Sequence, residues 1–177
     1  MMENAIAWIL IFPLFGSVAC AILGMGNKKI CYSIAVLSMA GSLWAGIETL
    51  MQVIGSEEHT ISYIFGGWTL DQYPRGVGIE FYADILGILI TLVVLGVGLI
   101  VAIYSKLPVQ EDTPGKEPLF YTLFLLQITG LAGICLTGDA FNLYVLIEVA
   151  ALTGYGLIAM GSNRAAAATF NYVMLGT

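Results

Sequence analysis

Five times along this chain, about twenty residues pass with at most one charged side chain. A bilayer core of ~30 Å takes about 20 apolar residues in helical form. Lipid offers no partner to the backbone, so a spanning segment must satisfy its own N–H and C=O groups, as a helix does. The runs predict spans at about 5–25, 30–54, 84–105, 118–136 and 140–161. A further apolar stretch from 165 to 177 follows Arg164. At 1.5 Å per residue it reaches roughly 20 Å, short of the bilayer core. An incomplete sixth span is expected, with the chain ending inside a membrane helix.

Composition supports this. Of 177 residues, 59% are apolar and 10% charged, whereas soluble domains carry about 25% charged residues. The expected fold is all-α and polytopic, with residues 1–177 forming a single membrane domain. The first run should stay in place as a span, because Met1-Met2-Glu3-Asn4 carries no positive charge and no A-x-A cleavage site follows.

Orientation follows from where Lys and Arg fall in the short loops. Lys28, Lys29, Lys106, Lys116 and Arg164 all lie on one side. The other side holds Arg75 together with Glu3, Glu57, Glu58, Asp71, Glu80, Asp84 and Asp139. The N-terminus is therefore expected outside, in a multi-pass protein of a prokaryotic plasma membrane.

Small residues recur at every fourth position on the first two spans: Gly16, Cys20 and Gly24, then Ser38, Ser42 and Gly46. Such rows let helix backbones approach in lipid, where packing drives association. The outer loop at 55–81 contains two alternating stretches, Thr60 to Phe65 and Gly76 to Phe81, with Gln72-Tyr73-Pro74-Arg75-Gly76 as breakers between them. This pattern predicts a β-hairpin on the outer face, between the second and third spans.

Several function classes are excluded. A net charge of −6 leaves no basic surface to follow a phosphate backbone, so nucleic acid is not a partner. Cys20, Cys31 and Cys135 form no CxxC pair, and His59 is the one histidine; neither a metal nor a cofactor is expected in a chain without clustered ligands. Any redox catalysis belongs to partner chains, and this chain is not an enzyme by itself.

An acid deep in a span is costly and a functional candidate by default. Glu148 is eight residues beyond Ala140, or about 12 Å along the helix, near the midplane of a ~30 Å core. Lipid surroundings disfavour an ionised carboxyl and a nearby cation favours it, so a movable cation would make Glu148 a proton relay. Its helical face includes Phe141, Tyr144, Val145, Ala151, Leu152 and Tyr155. The phenols of Tyr144 and Tyr155 could hydrogen-bond a carboxyl or hold water. Asp139 is the third supporting residue and is expected to cap the fifth span, as Asp84 caps the third. Glu48 lies nearer the end of its span and faces the interface or a partner. No Lys, Arg or His stands within any span, so the basic partner of Glu148 must come from elsewhere.

The stretch Thr137-Gly138-Asp139-Ala140-Phe141-Asn142-Leu143-Tyr144-Val145-Leu146-Ile147-Glu148 resembles the fifth-helix motif of the antiporter-like subunits shared by respiratory complex I, membrane-bound hydrogenases and Mrp-type sodium/proton antiporters. Gly66-Gly67-Trp68, followed by Gly78-Ile79-Glu80-Phe81-Tyr82-Ala83-Asp84, is similar to the family's entry into its third helix. Ala167-Ala168-Thr169-Phe170-Asn171-Tyr172-Val173-Met174-Leu175-Gly176 is similar to the start of its sixth. The likeness runs from about Gly66 to Thr177; the first sixty residues agree mainly in topology.

The resemblance implies the N-terminal part of a proton-conducting subunit that in the family has fourteen helices in two inverted repeats. It also implies that Glu148 pairs with a lysine on a broken seventh helix, which this sequence does not reach. Three functions are consistent with these features. The chain supplies Glu148 to a proton path completed by other membrane subunits, one bearing the lysine; or it is a truncated structural or sealing paralogue with no transport of its own; or it forms a small independent channel by oligomerisation.

Overall fold

The computed structural model describes residues 5–65, 78–161 and 164–176. Among the described residues, seven helices and two strands follow in the order α1 (Ala5–Leu23), α2 (Lys28–Gly55), β1 (Thr60–Ile64), β2 (Glu80–Asp84), α3 (Ile85–Tyr104), α4 (Lys106–Asp112), α5 (Glu117–Leu136), α6 (Ala140–Ala159) and α7 (Ala165–Gly176). Among the described residues, α1, α2, α3, α5 and α6 are long and apolar enough to cross a membrane.

The first two helices form a tight antiparallel pair, and the small residues show why. A Cβ on Gly16 would collide with Ser38, and one on Gly24 with Pro118 and the Cys31 thiol. Gly41 lies under the Phe12 ring, and Ser42 Oγ donates to the Ile9 carbonyl at 2.6 Å. Gly46 brings α2 against Leu92 and Leu95 of α3, while Gly98 of α3 seats Met39 and Ile128. Helix α5 closes the bundle, and Ile9, Met39, Leu95, Leu125 and Ile128 fill its centre. Cys20 and Cys31 are buried in this core, each thiol directed at the other's backbone carbonyl.

The strands pair antiparallel in the register Thr60↔Asp84 to Ile64↔Glu80. The first strand falls on the alternating stretch beginning at Thr60; of the second stretch, Gly76 and Val77 lie outside the described residues, Gly78 and Ile79 are not in a strand, and the strand begins at Glu80. Gly78 explains the shift: its φ of +135° departs from strand geometry, so the ladder begins beyond it. The 72–76 breakers and the Gly66-Gly67-Trp68 segment lie outside the described residues. Within β2, Phe81 and Ala83 are buried and Tyr82 is exposed, so one face of the ribbon rests on the helix ends. Phe81 also bridges to Thr137, and Gly138 N donates to the Glu80 carbonyl at 3.0 Å. The ribbon thereby grips the corner between α5 and α6.

Asp84 ends β2 and caps α3, its Oδ1 accepting from Gly87 N at 2.6 Å. Replacing an Asp cap by Ala costs about 0.5–2 kcal/mol. Asp84→Ala should lower the thermal stability of the purified protein in lipid nanodiscs, and Asp84→Asn should restore most of the loss; an unchanged melting curve for the alanine variant would remove the cap from the stability of α3.

The short helix α4 is not evident in the apolar pattern, since charges at Lys106, Glu111 and Asp112 read as loop. One buried side chain, Val109, folds this segment back onto the bundle end.

Candidate functional site

Helix α6 starts at a corner held by side-chain hydrogen bonds. Asp139 accepts from Phe141 N at 3.1 Å through Oδ1 and from Asn142 N at 3.3 Å through Oδ2. Asn142 in turn donates to Thr137 Oγ1 at 2.9 Å, the residue bridged to β2. These bonds satisfy the free N–H groups of the first turn and fix the rotation of α6.

The packed face of α6 is set by small residues on α5. A Cβ on Gly130 would meet Ala150 at 3.0 Å, one on Gly133 would meet Leu146 at 2.7 Å, and on α6 itself Gly156 lies against Leu123. Thr153 Oγ1 donates to Gln127 Oε1 at 2.8 Å, with the Val149 carbonyl also within reach at 2.7 Å. Leu146, Ala150 and Thr153 therefore line the α5 side.

Glu148 is two residues from Ala150, a rotation of about 200° around the helix axis, and is exposed on the opposite face. Phe141, Tyr144 and Leu152 share that face, with exposures of 72%, 62% and 63%. Glu148 is thus an acid near the middle of a 20-residue helix, set in an apolar stripe that no other described helix of this chain covers.

The supporting residues separate in the structure. Tyr144 stands on the open face with Glu148. Tyr155 is half-buried, and its ring meets that of Tyr172 on α7 edge-on at 5.3 Å, which directs it toward α7. The Asp139 carboxylate is committed to the helix cap, about 13 Å along the axis from Glu148. Glu48 is half-buried on α2.

The pair Gln127 and Thr153 does not stand out in the sequence. Its signal is one polar residue among several in each of two mainly apolar runs, but their meeting depends on how α5 and α6 align.

No family profile matches the chain. Its sequence is 34% identical over 169 residues to NADH-quinone oxidoreductase subunit N of Desulforudis audaxviator, covering 96% of this chain and 32% of that protein. It is 32% identical over 99 residues to a subunit of the Na(+)/H(+) antiporter of Bacillus subtilis, covering 56% of this chain and 19% of the relative. The fold superposes with a TM-score of 0.85 on a chain of the membrane-bound sulfane sulfur reductase, an archaeal respiratory membrane complex, at 27% identity, covering 97% of this chain and 34% of the other. The chain spans about a third of the length of the two proteins it matches nearly end to end. It belongs to the antiporter-like membrane subunits found in NADH-quinone oxidoreductase, Mrp-type antiporter and membrane-bound respiratory complexes.

Proposed function

We propose that this chain contributes Glu148 to a proton path in a membrane complex of the complex I, Mrp or membrane-bound hydrogenase type, and that other segments complete the path. The observation that carries this reading is the position of Glu148 on the uncovered face of α6. A charged side chain facing lipid at the helix centre costs about 2.5–3.5 kcal/mol on insertion scales. That cost is avoided if a protein segment covers the face and offers a cation or a hydrogen-bond donor. No Lys, Arg or His is present in α6, so the partner is a lysine from another segment, as the family resemblance implies.

In this reading Glu148 takes up a proton as the lysine withdraws and releases it as the lysine returns. Tyr144, one turn away on the same face, holds water or a hydrogen bond beside it. The end of the bundle with Lys28, Lys106, Lys116 and Arg164 faces the cytoplasm, by the positive-inside rule, and the two-stranded ribbon faces outward.

Covering of this face can be tested directly. A photo-crosslinking residue in place of Leu152, in the assembled complex, should yield an adduct with a transmembrane segment that carries a lysine at similar depth. Adducts with lipid alone would sink the reading, because Glu148 would then have no protein partner.

A further inference from the structure

At the lysine-bearing end of the bundle, the ends of α1 and α5 border an open groove of about 440 Å³. Gly24, Met25, Leu119 and Thr122 lie along it, and Lys28 and Lys116 stand at its rim. Both lysines are exposed, and neither makes an ion pair among the described residues. The turn at Gly115, with φ +86°, runs past the Lys28 ammonium, which lies 3.5 Å from where a Gly115 Cβ would be.

Three features give the groove an amphipathic character. It lies at the level where the spans α1 and α5 end, at Leu23 and Glu117, which is where lipid head groups begin. Its floor is apolar, and Met25, 84% exposed, projects just beyond the last turn of α1. Its rim is cationic, and both lysines sit at helix beginnings, whose positive ends add to their charge. Two other charges, Lys106 and Glu117, stand at this end of the bundle. Lys106 places its ammonium over the Tyr32 ring at 5.2 Å. Glu117 lines the adjoining cavity with Tyr32, Gln110 and Tyr121, which meets the groove at Lys28; its Oε2 is buried there without a hydrogen-bond partner, so the carboxylate does not close an ion pair with the lysine.

We propose that this groove binds an anionic phospholipid, with Lys28 and Lys116 holding the phosphate and the apolar floor taking the first methylenes of an acyl chain. Basic pockets between membrane helices recognise such head groups, and a lysine at an anionic surface is worth about fivefold in affinity. The inference requires only that the spans lie in a bilayer; it does not depend on Glu148 carrying protons.

The test uses the assembled complex, stripped of lipid in detergent and titrated with phosphatidylglycerol or phosphatidylcholine while native mass spectrometry counts bound molecules. The expected result is preferential retention of phosphatidylglycerol, weakened roughly 25-fold in the double variant Lys28→Gln/Lys116→Gln. Lys28→Arg/Lys116→Arg should keep it, which separates loss of charge from loss of assembly. Lys106→Gln, at the same end but outside the groove, should leave binding unchanged. Equal retention of the two lipids by the parent complex would overturn the proposal, as would an equal loss in Lys106→Gln. Binding of inorganic phosphate as tight as that of phosphatidylglycerol would overturn it too.

Discussion

Glu148→Gln should stop most proton transport by the intact complex while leaving its assembly normal. Glutamine keeps the size of the side chain and removes the group that titrates. A positioned proton carrier is typically worth about 10²–10⁴ in rate, so the expected fall is at least tenfold. Assembly should survive because the packed face of α6 is the opposite one, made by Leu146, Ala150 and Thr153 against α5. Glu148→Asp should retain part of the activity, since it moves the carboxyl without removing it. In the proposed reading the energy for transport would come from redox chemistry in a partner or from a counter-ion gradient, because moving one charge against 100 mV costs about 2.3 kcal/mol. Unchanged pumping by Glu148→Gln in a normally assembled complex would refute a role for this acid.

The second large effect is expected at Gly130. Its missing side chain lets α5 and α6 touch backbone to backbone: a Cβ there would lie 3.0 Å from the Ala150 nitrogen and 3.2 Å from its Cα. Backbone atoms cannot move aside as a flexible side chain can, so Gly130→Leu must push the helices apart. Overpacking of this kind costs about 1–3 kcal/mol, and the yield of assembled complex should drop roughly five- to a hundredfold. Gly96→Ala is the matching control, because a Cβ at Gly96 meets nothing within 4 Å. Equal yields for Gly130→Leu and Gly96→Ala would show that the α5–α6 contact does not hold the site.

The helices are legible in the sequence because lipid leaves few alternatives: Ala5–Leu23 and Glu117–Leu136 are long apolar runs that can satisfy their backbones in no other way. Rotation about each axis is less legible. Spacing alone groups Tyr155 with Glu148, since seven residues are nearly two turns, but it does not reveal that Tyr172 of α7 meets the Tyr155 ring. The pairing of Gln127 with Thr153 is a property of two helices in antiparallel register, and neither run by itself records it. The second strand begins closer to Asp84 than alternation suggests because one glycine, Gly78, takes a φ that the side-chain pattern does not encode. Helix α4 rests on the burial of Val109, one apolar residue among charges.

The grip of the ribbon on the α5–α6 corner has a consequence for biogenesis. Phe81 and Thr137 are far apart in the chain, and α3, α4 and α5 are made between them. During synthesis β1 and β2 are complete before Thr137 leaves the ribosome, so the last rung closes only after α5 has crossed the membrane. The rung can therefore form only when α3 and α5 have both been placed. A chain in which α5 fails to insert lacks the Thr137 bridge and leaves the Glu80 carbonyl without its Gly138 donor, although Phe81 keeps its ladder partner Tyr63.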